Sequence, residues 1–409
     1  MKNLKKAIEL IYNYVDNYDP RTVEFSQRRQ ICFEKNFPLL FCPGPVRVSD
    51  AVKMSMLHPD LGHREEEFST ILKSILENAK IPFGVANNNN YEIVTIIGGS
   101  GSAANESIIS SFKEGTKILI PTNGIFGEAL VKTAIVHKLD VKQIDFGWGN
   151  SIDLNVVEQK ISSNIYEVLM MVHHETSTGQ LNPIKEVAAI CRLVEEKFNS
   201  KIFMCVDAVS SAGAESIDVE KFNISFCSTQ SGKALLSDPG VGIICARSSD
   251  LDLIRERKYQ SGSKYLALNN QAQIHREKVQ TLNTPAIGLA IPLDIALKEL
   301  KADGLELRKE IYLKYASKIR LAAKEMELKT VIDDEQCMSR VLTTFYYPQN
   351  INVDNFHNYI RNKNIIIYRG KGPIAGKAFQ LANIGYLTFD HIDYLINSIK
   401  EALRFSHIP

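Results

Sequence analysis

The stretch EIVTIIGGSGSAANESIISSFKEGTKILIPTNGIFGEALVKTAIVHKLDVKQIDF, residues Glu92–Phe146, alternates short β-branched runs with longer runs of helical period. The runs EIVTII, KILIP and VKQIDF predict strands, and ESIISSFKE and FGEALVKTAIVHK between them predict helices. Strands that alternate with helices favour a mainly parallel sheet covered by helices on both faces.

The same alternation continues through EVLMMV, KIFMCVD, ISFCS and VGIICA, so that the sheet is expected to have seven strands. We therefore predict a large α/β domain over residues 39–300. After about residue 300 a long charged helical run precedes the strand-like runs SRVLTTFYY, NIIIY and FQLANI. This change of period predicts a smaller α+β domain over residues 301–409, and the charged helical pattern of residues 1–38 predicts an N-terminal helical extension.

Composition excludes several classes of protein. Of 409 residues, 44% are hydrophobic and 23% are charged, with a formal net charge of +1. This charge is too small for a nucleic-acid or anionic-membrane partner. The seven cysteines lie mostly in apolar runs and include no metal-binding spacing, and the N-terminal apolar stretch is interrupted by charges. We expect a cytoplasmic protein with reduced thiols, no metal and no membrane segment.

Chemistry is expected at the carboxyl ends of the strands, where parallel sheets place their ligands. The loop GGSGSAANE, Gly98–Glu106, follows the first strand and opens a helix. Its glycines and hydroxyls can hold a phosphate at the positive end of the helix, although such a loop is also an ordinary turn and cap. It lacks the lysine of a P-loop, and its glycine spacing fails the dinucleotide pattern, which disfavours a nucleotide site.

Two charged residues follow neighbouring strands: Asp207 ends KIFMCVD, and Lys233 comes shortly after ISFCS. Alone, the pair predicts no more than a salt bridge. Together with Gly98–Glu106 and with HHETSTG, His173–Gly179, they place four polar clusters at one edge of the sheet. An amine for a Schiff base, an acid for a ring nitrogen, a phosphate-binding loop, a hydroxyl and an aromatic ring are what pyridoxal 5′-phosphate requires. The pattern therefore predicts a pyridoxal phosphate site.

Seven motifs then occur in the order typical of one family. They are PGP (43–45), GSGSAA (99–104), NGIFG (123–127), HETSTG (174–179), VDAVSSAG (206–213), SGKAL (231–235) and NTPA (283–286). From about Pro43 to its end the sequence resembles the class V aminotransferases of pyridoxal phosphate fold type I. The resemblance implies an α/β transferase fold and a homodimer with shared active sites.

The resemblance also implies a role for each motif residue. Lys233 would bind the cofactor covalently and move the substrate proton, and Asp207 would pair with the pyridine nitrogen. Phe126 would stack on the ring and Thr176 would reach its phenolic oxygen. The remaining cofactor contacts implied are Ser100, Gly101 and Ser102 for the phosphate, with Thr284 lent by the partner subunit.

Within the class, the segments LLFCPGPVRVSDAV, MLHPDLGHREEEF, IIIYRGKG and FQLANIG look most like 2-aminoethylphosphonate:pyruvate transaminases. Alanine or serine:glyoxylate and serine:pyruvate transaminases are the alternative. The resemblance implies a small amine donor and a 2-oxo acid acceptor, with Gly44 at the substrate.

One position departs from the family. The family's arginine that clamps the acid group of the substrate is Gln380 here, so the resemblance places Gln380 at the substrate, but a glutamine cannot supply a bidentate cationic fork. We expect Arg369 or Arg64 to replace it, with Lys371 as a weaker candidate. For Arg64 the alternative is a salt bridge within the run Glu65–Glu67.

Other chemical roles remain as alternatives. We interpret His63 and His174 as packing or orienting residues rather than general bases, because the lysine carries the proton in this chemistry. A cysteine desulfurase would need a mobile cysteine in the small domain, where Cys337 is the sole cysteine. A non-catalytic binding protein of the same fold and a nicotinamide-dependent dehydrogenase are more remote alternatives.

Overall fold

The computed structural model describes residues 38–163, 165–257 and 262–407. In chain order the strands are β1 Leu39–Leu40, β2 Tyr91–Ile97, β3 Lys117–Thr122, β4 Asp140–Asp145, β5 Val168–Val172, β6 His174–Glu175, β7 Gln180–Leu181, β8 Phe203–Asp207, β9 Phe226–Gln230, β10 Val241–Arg247, β11 Leu342–Tyr346, β12 Ile365–Ile366, β13 Tyr368–Arg369 and β14 Ala378–Ala382. The helices are α1 Asp50–Ser55, α2 Glu66–Asn78, α3 Gly101–Ile109, α4 Ile125–Val136, α5 Leu154–Ile161, α6 Ile184–Phe198, α7 Ser248–Glu256, α8 Leu268–Lys278, α9 Ile287–Asp303, α10 Leu305–Glu325, α11 Val353–Asn362 and α12 Phe389–Phe405. Apart from residue 38, the predicted N-terminal extension lies outside the described residues.

Seven strands form one sheet in the order β2-β10-β9-β8-β5-β3-β4. Strand β10 runs antiparallel to both of its neighbours, and the other neighbouring pairs are parallel. The prediction of an α/β fold with a mainly parallel seven-stranded sheet is therefore confirmed.

The central strands are buried on both faces. Leu119 and Met171 enter one hydrophobic core, which also receives α2, α6 and α9, whereas Ile118 and Met170 enter a second core with α3, α4 and α8. Successive side chains of a strand point to opposite faces, so a strand between two layers of helices is apolar at most of its positions. This explains why the central strands appear in the sequence as continuous apolar runs.

A smaller antiparallel sheet, β11-β14-β13, lies in the C-terminal part. Its core contains Phe345 and Phe379 and also takes Phe41 and Val52 from the beginning of the described chain. Strand β1 pairs in parallel with β12. The chain before α2 thus packs with C-terminal residues, and the division at residue 300, which falls within α9, stays a prediction.

None of the helices in the described ranges is long and apolar enough to cross a membrane.

Candidate active site

The site lies at the carboxyl ends of the parallel strands. Strand β8 ends at Asp207, and its neighbour β9 ends at Gln230, shortly before Lys233. The loop that starts α3 follows β2, and the His173–Gly179 segment follows β5. Because the parallel strands end at one edge of the sheet, the predicted polar clusters meet there.

Lys233 is the buried amine of the site. Its Nζ donates a hydrogen bond to the carbonyl oxygen of Pro43. Burial lowers its pKa to about 8, and the charge of Lys371 acts in the same direction, whereas Cys42 and Asp207 oppose the shift. A lowered pKa keeps a larger part of the amine neutral near pH 7, which is the form that can act as a nucleophile or base.

Gly44 fits closely against this amine. It has a φ of +142°, and a Cβ at this position would lie 2.7 Å from Lys233 Nζ. A side chain here would collide with the lysine and strain the backbone. The Pro43–Pro45 motif therefore packs closely against Lys233, with Gly44 beside its amine.

Asp207 is the buried carboxylate of the site. Its Oδ2 accepts a hydrogen bond from Asn105 Nδ2 at 2.7 Å, and its Oδ1 accepts one from the backbone N of Val209 at 2.9 Å. Burial raises its pKa, while these two hydrogen bonds and Lys233 lower it. Ser228 in turn donates to Asn105 Oδ1. The sequence did not identify Asn105 or Ser228 as site residues, because a buried hydrogen-bond chain leaves no local pattern.

The start of α3 forms a cradle for an anion. Ser100 is the residue before the helix, and the backbone N–H groups of the first turn have no acceptor within the helix. Gly101 packs against Val209, since a Cβ on it would lie 2.6 Å from Val209 Cγ2. The side chains of Ser100 and Ser102 are exposed. The predicted phosphate loop therefore adjoins the Asp207 loop and offers amides and hydroxyls to a ligand.

Thr176 and Phe126 lie on two segments joined by a buried acid. Thr176 Oγ1 donates to Ser210 Oγ at 2.7 Å. The Glu175 carboxylate accepts hydrogen bonds from the backbone N of Phe126 at 3.2 Å and of Gly127 at 3.1 Å, at the start of α4. The Phe126 ring remains 40% exposed. Glu175 was not identified from the sequence, although its position within HETSTG is part of the motif.

Thr284 lies in an exposed loop before α9. It lines a small cavity with residues that include Thr95, Tyr265 and Gln271. The loop is close to the end of β2, since a Cβ on Gly98 would lie 3.9 Å from the Cβ of Ala286. Its role toward a partner subunit stays a prediction.

Arg64 is exposed, and its hydrogen bonds do not go to Glu65–Glu67, the salt-bridge partners considered as the alternative. Its Nη1 donates instead to Gln280 Oε1 at 3.0 Å and to the carbonyl oxygen of Thr281 at 2.9 Å. Arg64 therefore lies beside the segment that leads to Thr284, and its contact with substrate stays a prediction.

Arg369 and Gln380 differ in their surroundings. Arg369 pairs with Asp354 at 2.8 Å, and both side chains are exposed. Gln380 is 2% exposed, and its Nε2 donates to the carbonyl oxygens of Thr176 at 2.7 Å and Ser177 at 3.2 Å. The structure thus brings Gln380, rather than Arg369, against a loop of the site, and the substrate contacts predicted for both stay predictions.

The two adjacent histidines are buried and hydrogen-bonded. His173 Nδ1 lies 3.0 Å from Ser211 Oγ, and His174 Nδ1 lies 3.1 Å from the carbonyl oxygen of Ser210. Burial lowers the pKa of His173 to about 3 and that of His174 to about 4. Both are neutral near pH 7, which agrees with a packing or orienting role.

Two other kinds of site, a desulfurase cysteine and a metal centre, concern other residues. Cys337 ends a short helical turn, Glu335–Cys337, and lies 3.7 Å from Ser151 Oγ. In the described part of the chain, no group of three or more His, Cys, Asp or Glu side chains could hold a metal ion.

The assembled residues fit pyridoxal 5′-phosphate. Lys233 has a buried amine that would suit the aldehyde, and Asp207 has a buried carboxylate that would suit the ring nitrogen; each shifts the pKa of the other. The start of α3 can bind the phosphate, and Phe126 supplies an exposed aromatic face. One loop, one strand end and the starts of two helices therefore provide these groups.

Comparisons with known proteins agree with this arrangement. The family profile described as "Aminotransferase class-V" matches residues 53–382. An uncharacterized aminotransferase of Methanocaldococcus jannaschii is 31% identical over 369 residues, 90% of this chain and 92% of that protein. A 2-aminoethylphosphonate–pyruvate transaminase of Phocaeicola vulgatus is 28% identical over 374 residues, 90% of this chain and 99% of that protein.

The fold has close counterparts among solved structures. An alanine–glyoxylate aminotransferase of Nostoc sp. superposes with a TM-score of 0.83 at 24% identity, covering 93% of this chain and 100% of that one. At this identity the similarity establishes the fold, and the profile match establishes the family. The chain therefore belongs to the class V aminotransferases, which are pyridoxal phosphate-dependent enzymes.

Proposed function

We propose that this aminotransferase transfers the amino group of 2-aminoethylphosphonate, or of a closely related small phosphorylated or phosphonylated amine, to pyruvate. The observation that carries the proposal is the similarity to the Phocaeicola vulgatus 2-aminoethylphosphonate–pyruvate transaminase, which extends over 90% of this chain. The alternative is an alanine or serine aminotransferase that uses glyoxylate or pyruvate, because the Nostoc alanine–glyoxylate aminotransferase has the same fold.

The residues of the chain perform distinct parts of the reaction. Pyridoxal phosphate, when bound, supplies the electron sink that stabilises negative charge at the substrate carbon. Burial lowers the pKa of Lys233 Nζ to about 8. This amine takes the proton from that carbon of the donor in the first half of the reaction, and it gives a proton to the corresponding carbon of the acceptor in the second half. Asp207, fixed by Asn105 and Val209, would hold the proton on the pyridine nitrogen. Donor and acceptor therefore react in turn at one site.

The acid group of the substrate requires a positive partner, because an uncompensated anion in a closed site would cost several kcal/mol. Arg64 and Arg369 are the candidates for this positive partner. Replacing the responsible arginine by alanine should raise the KM of donor or acceptor by about tenfold, which corresponds to about 1.4 kcal/mol of binding. If both Arg64→Ala and Arg369→Ala leave the two KM values unchanged, neither arginine binds the acid group.

A half-reaction assay tests the choice of amine. The cofactor-loaded protein is mixed with one amine at a time in the absence of any keto acid, and the loss of visible cofactor absorption is followed. We expect 2-aminoethylphosphonate to react faster than alanine or serine. Lys233→Ala is the control: it lacks the base that moves the substrate proton, so none of the amines should remove its visible cofactor absorption.

The result separates the two candidate functions. If alanine or serine removes the absorption and 2-aminoethylphosphonate does not, the proposal is wrong and the alternative is correct. With the reacted protein, pyruvate and glyoxylate can then be compared by the rate at which each restores the absorption.

A further inference from the structure

One row of side chains on the small sheet faces the active site. Gln380 on β14 is paired directly with Thr344 on β11 and with Tyr368 on β13. Directly paired residues of antiparallel strands point to the same face of the sheet. The Tyr368 hydroxyl donates to the carbonyl oxygen of Gly44 at 3.3 Å, and Gly44 lies against Lys233. This face of the small sheet therefore meets the loops that surround the reacting lysine.

The amide group of Gln380 is directed at the neighbouring loop. Its Nε2 donates to the carbonyl oxygens of Thr176 and Ser177 at 2.7 and 3.2 Å, and it lies 3.3 Å from Thr344 Oγ1. A glutamine amide carries two N–H donors, so these three acceptors use its whole donor capacity. The orientation of the amide is set by chemistry, because only its NH₂ group can bond carbonyl oxygens.

The loop that receives these bonds carries Thr176, whose hydroxyl the family resemblance assigns to the cofactor. Thr176 Oγ1 donates to Ser210 Oγ in the loop after Asp207. Gln380 thus fixes the backbone of a residue whose side chain reaches the opposite wall of the site. Because the residue is 2% exposed, water cannot readily replace its hydrogen bonds if they are lost.

We propose that Gln380 is a positioning residue, which holds the Thr176–Ser177 backbone against the small sheet and does not bind the acid group of the substrate. The proposal rests on the cofactor site described above and is independent of which amine the enzyme uses. It explains how a site with glutamine in place of the family's arginine can keep its geometry, because the Gln380 amide bonds the protein backbone and not the substrate.

The variant Gln380→Glu tests the proposal, since it keeps the size of the side chain and replaces two donors by an acceptor that faces carbonyl oxygens. We expect kcat to fall by about tenfold or more, because a displaced catalytic group is costly, with the KM values of donor and acceptor changed by less than about twofold. In the apo-protein, hydrogen exchange of the backbone amides in residues 173–182 should become faster. Thr344→Val is the matched control and should change little, because it leaves both backbone bonds in place.

The opposite pattern would overturn the proposal. If Gln380→Glu raises a KM about tenfold while kcat and the exchange of residues 173–182 match the wild type, Gln380 is a substrate contact. Should the glutamate variant not fold, Gln380→Met removes the donors without adding charge and must give the same slower turnover and faster exchange. The exchange measurement needs neither cofactor nor substrate, so it decides the role of Gln380 even if 2-aminoethylphosphonate proves not to be a substrate.

Discussion

Among the single residues of the site, Lys233 is the one on which the proposed covalent chemistry depends. It is buried beside Gly44, whereas Lys371, whose charge affects it, is exposed. Lys233→Ala should abolish the borohydride-reducible link to the cofactor and lower turnover by orders of magnitude, because the nucleophile is lost. Mass spectrometry of the reduced, digested protein locates the label. Lys371→Ala should retain the link, and a label on a peptide without Lys233 would refute the assignment.

The burial of Lys233 also predicts how the stability of the apo-protein varies with pH. Its pKa falls from 10.5 to about 8 on folding, so between these values the unfolded chain binds more protons than the folded chain. The contribution of this residue to the free energy of unfolding therefore rises with pH across that window. Below it, the buried ammonium destabilises the fold by up to about 3 kcal/mol.

The test compares apo wild type with apo Lys233→Met by urea unfolding. The methionine variant should be the more stable of the two near neutral pH, and its advantage should shrink as the pH rises from about 8 to 10.5. In the difference between the two free energies of unfolding, the contributions of the other titrating groups cancel. An advantage that does not vary with pH would mean that Lys233 is not a charged, buried group in the apo-protein.

Sequence reasoning identified the residues that occupy strand ends and motif positions. Lys233 and Asp207 were predicted because they follow apolar runs at the edge where a parallel sheet binds ligands. Asn105 and Ser228 were not, since their hydrogen-bond chain to Asp207 joins three separate elements. Contacts of this kind depend on packing between segments distant in the chain, and no local period reveals them.

Among the individual elements, α4 depends on one buried acid for its start. The Glu175 carboxylate accepts from the backbone N of Phe126, Gly127 and Ser177 and from the Ser177 hydroxyl. Glu175→Gln leaves one acceptor oxygen and adds an NH₂ that faces these donors. We expect a loss of about 1–3 kcal/mol in the free energy of unfolding, and weaker cofactor retention because Phe126 moves.

The control for this prediction lies in the same helix. Glu128 accepts one hydrogen bond, from Trp148 Nε1 at 2.7 Å, and a glutamine oxygen can accept it equally well. Chemical unfolding and cofactor titration of Glu175→Gln and Glu128→Gln should therefore differ clearly. Equal stability of the two variants would show that the start of α4 is held by other contacts.

The sequence predicted where strands occur better than it predicted which strands pair with each other. The seven strands of the large sheet follow from alternating periods, but the run NIIIY was expected to be one strand and is divided between two sheets. Ile365–Ile366 pairs with Leu39–Leu40, and Tyr368–Arg369 pairs with β14. The division depends on where the beginning of the described chain packs, which the composition of the run does not encode.

For the molecule as a whole, packing between distant segments of the chain also limits how well the domains can be predicted from the sequence. The change of period near residue 300 is visible in the sequence, whereas the packing of Phe41 and Val52 in the C-terminal core is not. This packing places the Pro43–Pro45 motif between the small sheet and Lys233, with Tyr368 bonded to Gly44 on one side. Movement of the small sheet would therefore move a wall of the active site.

The last prediction concerns the assembly of two chains. Thr284 is exposed in the single chain, in a loop close to the end of β2, and the family resemblance implies that it completes the phosphate site of the partner subunit. We predict a homodimer whose dilution to monomer releases the cofactor, because part of each phosphate site leaves with the neighbour. Light scattering gives the mass, and absorbance of the same samples gives the bound cofactor. Thr284→Ala should weaken cofactor retention in a protein that remains dimeric. A monomer that keeps full cofactor occupancy and activity would contradict the shared site.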